Sequence, residues 1–233
     1  MPEGSINALA LDAQGGLWAG SQNGMIYHWD GETWTTLLPP VKEGNAIYAL
    51  AFDDQGRLWV GTWVGLLLYE DGEWTRMAPP QEEQLPGVKS LTFDQDGVLW
   101  IGTRYGMYRY VDNTWLLVGS QNNYDITSII FDNNGVLWAT TMDGLMLFDG
   151  HGLSFISMED LPLDRLEAAA IGSDGTIWLG GSEGAASYAS DEWTGYGTDD
   201  GLASGYVFAV TVTPDGAIWF GTADGLTYYL AEN

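Results

Sequence analysis

The chain has 233 residues, with 7 Lys+Arg against 32 Asp+Glu and a formal net charge of −25 at pH 7. Such a charge excludes the polyanionic partners, nucleic acid and anionic membrane, by repulsion. The absence of cysteine excludes a disulfide framework, a thiolate metal site and a cysteine nucleophile. With 12 Trp, 12 Tyr and 32 Gly, the composition is that of a packed, turn-rich protein and not of a disordered acidic one. No apolar run is long enough for a transmembrane helix, so no membrane insertion is expected. The opening MPEGSINA lacks the basic and apolar segments of a signal peptide, so an export signal is expected to be absent or already removed.

In chain order, the first predicted strand is Ile6–Leu11, followed by an Asp-to-Gly turn and a second strand carrying Trp18. The same unit returns five more times. Its inner strand recurs at Ile47–Phe52, Val88–Phe93, Ile126–Phe131, Leu166–Ile171 and Val207–Val212. The Trp of its second strand recurs at Trp59, Trp100, Trp138, Trp178 and Trp219, at intervals of 41, 41, 38, 40 and 41 residues. Gly precedes each Trp by three positions (Gly15, Gly56, Gly97, Gly135, Gly175, Gly216) and follows it by six (Gly24, Gly65, Gly106, Gly144, Gly184, Gly225). Third and fourth strands such as GMYRYV and TWLLV complete each unit. Alternating β-branched and aromatic runs between Gly, Asp and Asn turns read as strands, and no stretch has a helical period. A four-stranded unit of about 40 residues cannot bury both faces of its sheet alone, so the units must stack. The expectation is an all-β, six-bladed β-propeller of four-stranded antiparallel blades. With no linker or change of composition along the series, it is read as a single domain over residues 1–233.

The pattern G-x-[LI]-W-x-G-T-x-x-G-L resembles the two-component-regulator propeller repeat. Residues 197–226, GTDDGLASGYVFAVTVTPDGAIWFGTADGL, carry it most fully. The resemblance implies an extracytoplasmic sensor propeller, periplasmic or extracellular, of the kind that fronts hybrid two-component systems, some of which recognise carbohydrate. Those sensors have more blades, often fourteen; this sequence reads as six repeats without a kinase, so no signalling output is expected from it. The streptogramin-lyase propellers are similar and are the enzymatic relatives.

Repetition itself separates architecture from function. The six Trp and the column His28, Tyr69, Tyr110, Phe148, Tyr188, Tyr229 are assigned to packing. His151 falls in the turn between third and fourth strands, on the face opposite the usual binding end of a propeller. The turns Asp53-Asp54-Gln55-Gly56 and Asp94-Gln95-Asp96-Gly97 invite calcium, but lack the later ligands of an EF-hand loop and read as turn chemistry. No nucleophile, base and orienter are visible together, so no catalytic residue, metal or cofactor is assigned.

Positions that vary between copies at one structural place are free to specify a ligand. Two such sets face the expected channel mouth: the residues before the second Gly of each unit, and the second residue of each inner strand. The second set is Asn7, Tyr48, Lys89, Thr127, Glu167 and Phe208. Together they place Tyr48, Trp63, Tyr105, Lys89 and Arg104 on one side and Asp143, Glu167, Glu183 and Asp224 on the other. An aromatic surface beside Arg and Lys suits stacking on a ring while donors hold a carboxylate or sulfate. The candidate ligand-binding residues are therefore Trp63, Arg104, Tyr105, Lys89, Tyr48, Asp143, Glu183 and Asp224. The expected function is a non-catalytic binding or interaction propeller for a small polar or saccharide-like ligand. The alternatives are a lyase- or hydrolase-like enzyme using mouth acids with a divalent cation, and an excised or engineered propeller without retained activity. The last unit reads GLTYYLAEN after its second turn, so blade six is expected to lack its outer strand. That leaves an edge for charge, the terminus or a second copy of the chain to guard.

Overall fold

The computed structural model describes residues 4–41, 45–80, 85–118 and 124–230. Blade one comprises β1 (Ile6–Leu11), β2 (Leu17–Ser21), β3 (Ile26–Trp29) and β4 (Trp34–Leu37). Blade two comprises β5 (Ile47–Phe52), β6 (Leu58–Thr62), β7 (Gly65–Glu70) and β8 (Glu73–Met77). Blade three comprises β9 (Val88–Phe93), β10 (Leu99–Thr103), β11 (Gly106–Val111) and β12 (Thr114–Val118). Blade four comprises β13 (Ser128–Phe131), β14 (Leu137–Thr141), β15 (Gly144–Phe148) and β16 (Leu153–Ser157). Blade five comprises β17 (Arg165–Ile171), β18 (Ile177–Ser182), β19 (Gly184–Ala189) and β20 (Glu192–Tyr196). Blade six comprises β21 (Val207–Val212), β22 (Ala217–Thr222) and β23 (Gly225–Leu230). Each sheet is an antiparallel meander, and blade six has three strands among the described residues. The only helical elements described are two 3-10 turns, Met158–Asp160 and Thr198–Asp200. The fold is a six-bladed β-propeller. Residues 1–3 and 231–233, part of the opening MPEGS and the terminal AEN, lie outside the described residues.

The chain divides into two compact units, Met1–Asn123 and Tyr124–Asn233. In the first, blades one and two share a core of Ile26, Ile47, Leu50, Leu58, Val60 and Leu67, and blades two and three one that includes Trp59, Leu66, Val88 and Ile101. In the second, Trp138, Leu145, Leu166 and Leu179 join blades four and five, while Trp178, Ala185, Val207 and Phe220 join five and six. The glycine two residues after Trp18, Trp59 and Trp178 explains why these sheets approach so closely. A Cβ at Gly20 would lie 2.4 Å from Ile47, one at Gly61 2.8 Å from Val88, and one at Gly180 2.6 Å from Val207. The first residue of one inner strand is thus a knob that fills the glycine socket of the blade before it, a fit that leaves no void to penalise.

The Asp-rich turns have a second duty. Asp53 Oδ1 accepts the amides of Gln55 (3.1 Å) and Arg57 (2.9 Å), which fixes the turn, while Oδ2 accepts Trp59 Nε1 at 2.9 Å. Asp12 with Trp18 (2.9 Å), Asp94 with Trp100 (2.8 Å) and Asp132 with Trp138 (3.1 Å) repeat the clamp. One carboxylate six positions ahead of the Trp satisfies the buried indole N–H and orients its ring. Blades five and six carry Gly172 and Thr213 at that position and do without it.

The register corrects one assignment. In blade two, Leu58 faces Tyr69, but in blade one Leu17 faces Trp29, and His28 lies opposite Trp18. The turn of blade one is one residue longer, because the Ser21 hydroxyl closes on the Met25 carbonyl four residues on (2.8 Å), where Thr62 closes on Gly65 at three (2.9 Å). Trp29, and not His28, therefore occupies the aromatic column, its ring tilted against Trp34 at 5.5 Å as that of Tyr69 is against Trp74 at 4.6 Å. His28 still serves packing: its ring stacks on Trp18 at 4.2 Å and 20°, with Nε2 3.3 Å from Asp12 Oδ2.

Candidate functional site

The turns between second and third strands are built to present their tips. In blades two, three, four and six a Thr ends the second strand, donates its hydroxyl to the carbonyl of the following Gly and accepts an amide from the residue between. The donated bonds are Thr62 to Gly65 at 2.9 Å, Thr103 to Gly106 at 2.7 Å, Thr141 to Gly144 at 2.9 Å and Thr222 to Gly225 at 2.8 Å. The returning amides belong to Val64, Tyr105, Asp143 and Asp224. With both backbone groups satisfied internally, the two tip side chains are left to solvent. At Gly144, φ is 140° and a Cβ would lie 2.1 Å from the Ile156 carbonyl oxygen, so the turn has no room for another residue. In blade five Gly181 stands where the others have Thr, because the inner strand passes there: a Cβ would meet the Arg165 carbonyl at 1.7 Å. Glu183 then takes the left-handed conformation, φ 73°.

In the first unit these turns bring three of the predicted residues together. Thr62 pairs with Ile47, so Tyr48 and Trp63 share one end of blade two. Their ring centroids lie 6.2 Å apart. From blade three the Arg104 guanidinium carbon sits 5.2 Å from the Trp63 ring centroid, a cation–π distance. The backbone holds this pair in place: the Arg104 amide donates to the Gly87 carbonyl at 3.1 Å, and the Trp63 ring rests against Gly87, where a Cβ would be 3.6 Å away. Trp63 is 44% exposed and Tyr105, beside Arg104 on the same turn, 51%. Lys89 lies at the same end of blade three, since Val88 pairs with Thr103, and is half-buried.

In the second unit Asp143, Glu183 and Asp224 are exposed on three separate turns. Glu183 borders a cleft of about 460 Å³ that also carries Ser182, Thr198, Asp199, Asp200 and Tyr206. Glu167 is not a free acid: it accepts from the Arg165 Nε at 2.8 Å and the Tyr206 hydroxyl at 3.0 Å. Burial, and then that bond to Glu167, push the Tyr206 phenol up. The Tyr206 ring also packs on Phe208 at 4.6 Å. Reasoning from the repeat missed Arg165 and Tyr206, because both fall outside the two varying positions it compared.

The second inner-strand position also does structural work at two blades. Asn7 Nδ2 donates to the Ile47 carbonyl at 3.2 Å, and the Thr127 hydroxyl to the Leu166 carbonyl at 3.2 Å. Each ties its inner strand to that of the next blade, so these positions are not all available to a ligand. Among the described residues no group of three or more His, Asp or Glu side chains is placed to hold a metal ion. Among them also, no helix is long and apolar enough to cross a membrane.

Comparison with known proteins agrees with this architecture. The family model described as two component regulator propeller matches residues 1–23, 42–64, 85–105 and 201–224. No curated protein matches the sequence. Among solved structures, the extracellular domain assigned to hybrid two component system BT3049 from B. thetaiotaomicron has a TM-score of 0.85 at 22% identity, covering 98% of this chain and 34% of that one. The chain thus spans about a third of that domain's length. A streptogramin B lyase has a TM-score of 0.80 at 18% identity, covering 98% of this chain and 80% of the lyase. A catalytically inactive His-to-Ala variant of virginiamycin B lyase from Staphylococcus aureus, solved with quinupristin, has a TM-score of 0.78 at 13% identity, covering 97% and 84%. At these identities the likeness is one of fold, and it is shared by sensor and lyase alike. The segments that match the two component regulator propeller model fall in blades one, two, three and six.

Proposed function

We infer that this chain is a non-catalytic, sensor-type binding propeller that takes a small anionic or saccharide-like ligand on the Tyr48, Trp63 and Arg104 surface. The observation that carries the reading is Arg104 lying over an exposed Trp63 on turns whose backbones are internally satisfied. A preorganised aromatic and guanidinium surface offers stacking area and a planar fork of donors at little ordering cost. Among the described residues no carboxylate pairs with Arg104. On a chain of net charge −25, such a surface is where an anionic group meets attraction. Tyr105 and Lys89 border it and would contact the periphery of a ligand. Asp143, Glu183 and Asp224, exposed on turns of the second unit, suit hydroxyl or amine groups and would repel an acid.

Two observations favour binding over catalysis. The virginiamycin B lyase loses activity when a histidine is replaced, whereas the two histidines here are committed elsewhere. His28 is stacked on Trp18, and His151 lies in the turn between β15 and β16, at the opposite end of blade four from Asp143. The test is a thermal-shift and titration screen with uronate-containing, sulfated and neutral oligosaccharides on wild type, Trp63→Ala, Arg104→Ala and Arg104→Lys. The expected result is saturable stabilisation by acidic sugars, lost in Arg104→Ala, weakened in Arg104→Lys, and weakened in Trp63→Ala by stacking worth about 1 kcal/mol. Ligands that bind wild type and Arg104→Ala equally would place the site elsewhere, and turnover of any of these sugars would overturn the non-catalytic reading.

A further inference from the structure

The second unit repeats the backbone of the Trp63 site with different side chains. In the first unit three positions define that site: Trp63 at a turn tip, Gly87 before the next inner strand, and Arg104 at the following tip. The Arg104 amide donates to the Gly87 carbonyl at 3.1 Å. In the second unit the Ala223 amide donates to the carbonyl of Tyr206, again the residue before an inner strand, at 3.0 Å. The tip residue that corresponds to Trp63 is Ser182, since each stands two residues before the Gly that opens a third strand. Where the first unit sets an indole against Gly87 with a guanidinium near its ring, the second has the short side chains of Ser182 and Ala223. A cleft of about 460 Å³ stands there, between the tip of blade five and the segment 197–206 that leads into blade six. All its lining residues belong to the second unit.

That segment is fixed from several sides. Leu202 is buried in the core shared by blades five and six. The Gly197 amide donates to Asp200 Oδ2 at 2.8 Å, and the Ala203 amide to the Thr227 hydroxyl at 2.8 Å. A cleft held open by such contacts takes a ligand at little ordering cost. Its chemistry is one-sided: hydroxyls of Ser182, Thr198 and Ser204 line it together with the carboxylates of Glu183 and Asp199. Among the described residues no cationic side chain pairs with Glu183, Asp199 or Asp200, and no three acids converge on a metal position. The charge is inverted from the first unit, where Arg104 and Lys89 take the places held here by Ala223 and Phe208. A cleft lined by unpaired charge of one sign concentrates ligands of the other. We propose that this cleft binds a small hydroxylated ring carrying a protonated amine, the chemistry of an amino sugar. Glu183 and Asp199 hold the amine, which donates in three directions and so suits separated acids better than a metal ion does. Ser182, Thr198 and Ser204 exchange hydrogen bonds with the hydroxyls, and Tyr206 supplies the aromatic wall. The site is separate from the Tyr48, Trp63 and Arg104 surface and does not depend on it.

Titration calorimetry of the full chain with glucosamine, at about pH 6 where its amine is protonated, tests this against glucose, N-acetylglucosamine and free lysine. Glucosamine is expected to bind saturably, and less tightly as salt rises. Glucose and N-acetylglucosamine, which lack the charge, bind about tenfold more weakly or not at all. Glu183→Gln and Asp199→Asn preserve size at exposed positions and each weaken glucosamine by about tenfold. Ser182→Trp sets an indole where Trp63 stands in the first unit and abolishes binding. Trp63→Ala and Arg104→Ala leave it unchanged, so the two sites stand or fall separately. Absence of saturable binding to wild type overturns the proposal. So does glucose binding as tightly as glucosamine, which removes the charge from recognition, or lysine doing so, which removes the ring. Loss of binding in Arg104→Ala puts the amine elsewhere, and unchanged binding in both charge variants overturns the assignment even where Ser182→Trp fails to fold.

Discussion

Blades two and six are built from one repeat and end in opposite surroundings. Both carry the W-x-G-T stretch, the closing Thr and the left-handed Gly. In blade two, Trp59 is 2% exposed, clamped by Asp53 and packed near Tyr110 of the next blade at 5.6 Å. In blade six, Trp219 is 37% exposed, has Thr213 where the clamp would be, and contacts Tyr228 of its own sheet at 5.0 Å. One repeat position is thus almost fully buried in one blade and more than a third exposed in another. What the tryptophan contributes to stability depends on the neighbour.

The largest expected effect follows directly. Trp59→Ala should destabilise the fold by about 3–5 kcal/mol, since it removes a buried indole and leaves a cavity, whereas Trp219→Ala should cost clearly less. Denaturant unfolding of both variants measures the difference, and equal losses would break the comparison. Next comes the clamp. Asp53→Ala should cost about 1–3 kcal/mol, because the Trp59 N–H and the turn amides lose their acceptor together. Thr213→Ala, with no indole to release, should cost less in the same assay.

The clamp also predicts a pH dependence. The bond from Trp18 holds the Asp12 carboxyl below its ordinary value, and at Asp53 the bonds from Trp59 and Arg57 outweigh burial, which acts the other way. Both groups therefore bind protons more weakly folded than unfolded. Their contribution is complete above the unfolded pKa of about 4 and is lost as pH falls through the lower folded values. Asp30, Asp149 and Asp215, held low by turn amides, Thr33 or Thr213, add to the same acid limb. Asp53→Asn should flatten that limb in a stability series below about pH 4 and leave the neutral region closer to wild type than Asp53→Ala does. The smallest effect sharpens the contrast between column and tip: Trp63→Ala, four residues from Trp59, should change stability by no more than about 0.5 kcal/mol while altering ligand titration.

Most of the architecture was legible in the sequence, for a physical reason. Strand periodicity, turn glycines and a period of about 40 residues are local signals, and six copies of them average away the ambiguity of any one. The separation of Trp59 from Trp63 was legible too, because one position repeats and the other does not. The sequence also contained the Asp six positions before four of the tryptophans, but its bond to the indole appears only when the turn folds the carboxylate back over the second strand. His28 was misplaced by one position, since a serine turn one residue longer shifts register without disturbing the spacing of Trp and Gly.

The chain alone thus determined the blade, its turn chemistry and which side chains stand at the tips. Tertiary structure decided what those side chains meet. Arg104 and Trp63 belong to different blades, 41 residues apart, and their 5.2 Å approach depends on how blade three docks on blade two. Glu167 reads as a free acid until Arg165 and Tyr206 close on it. Local pattern encodes a propensity to be buried; burial itself needs a second surface, and only the folded chain shows where one is present.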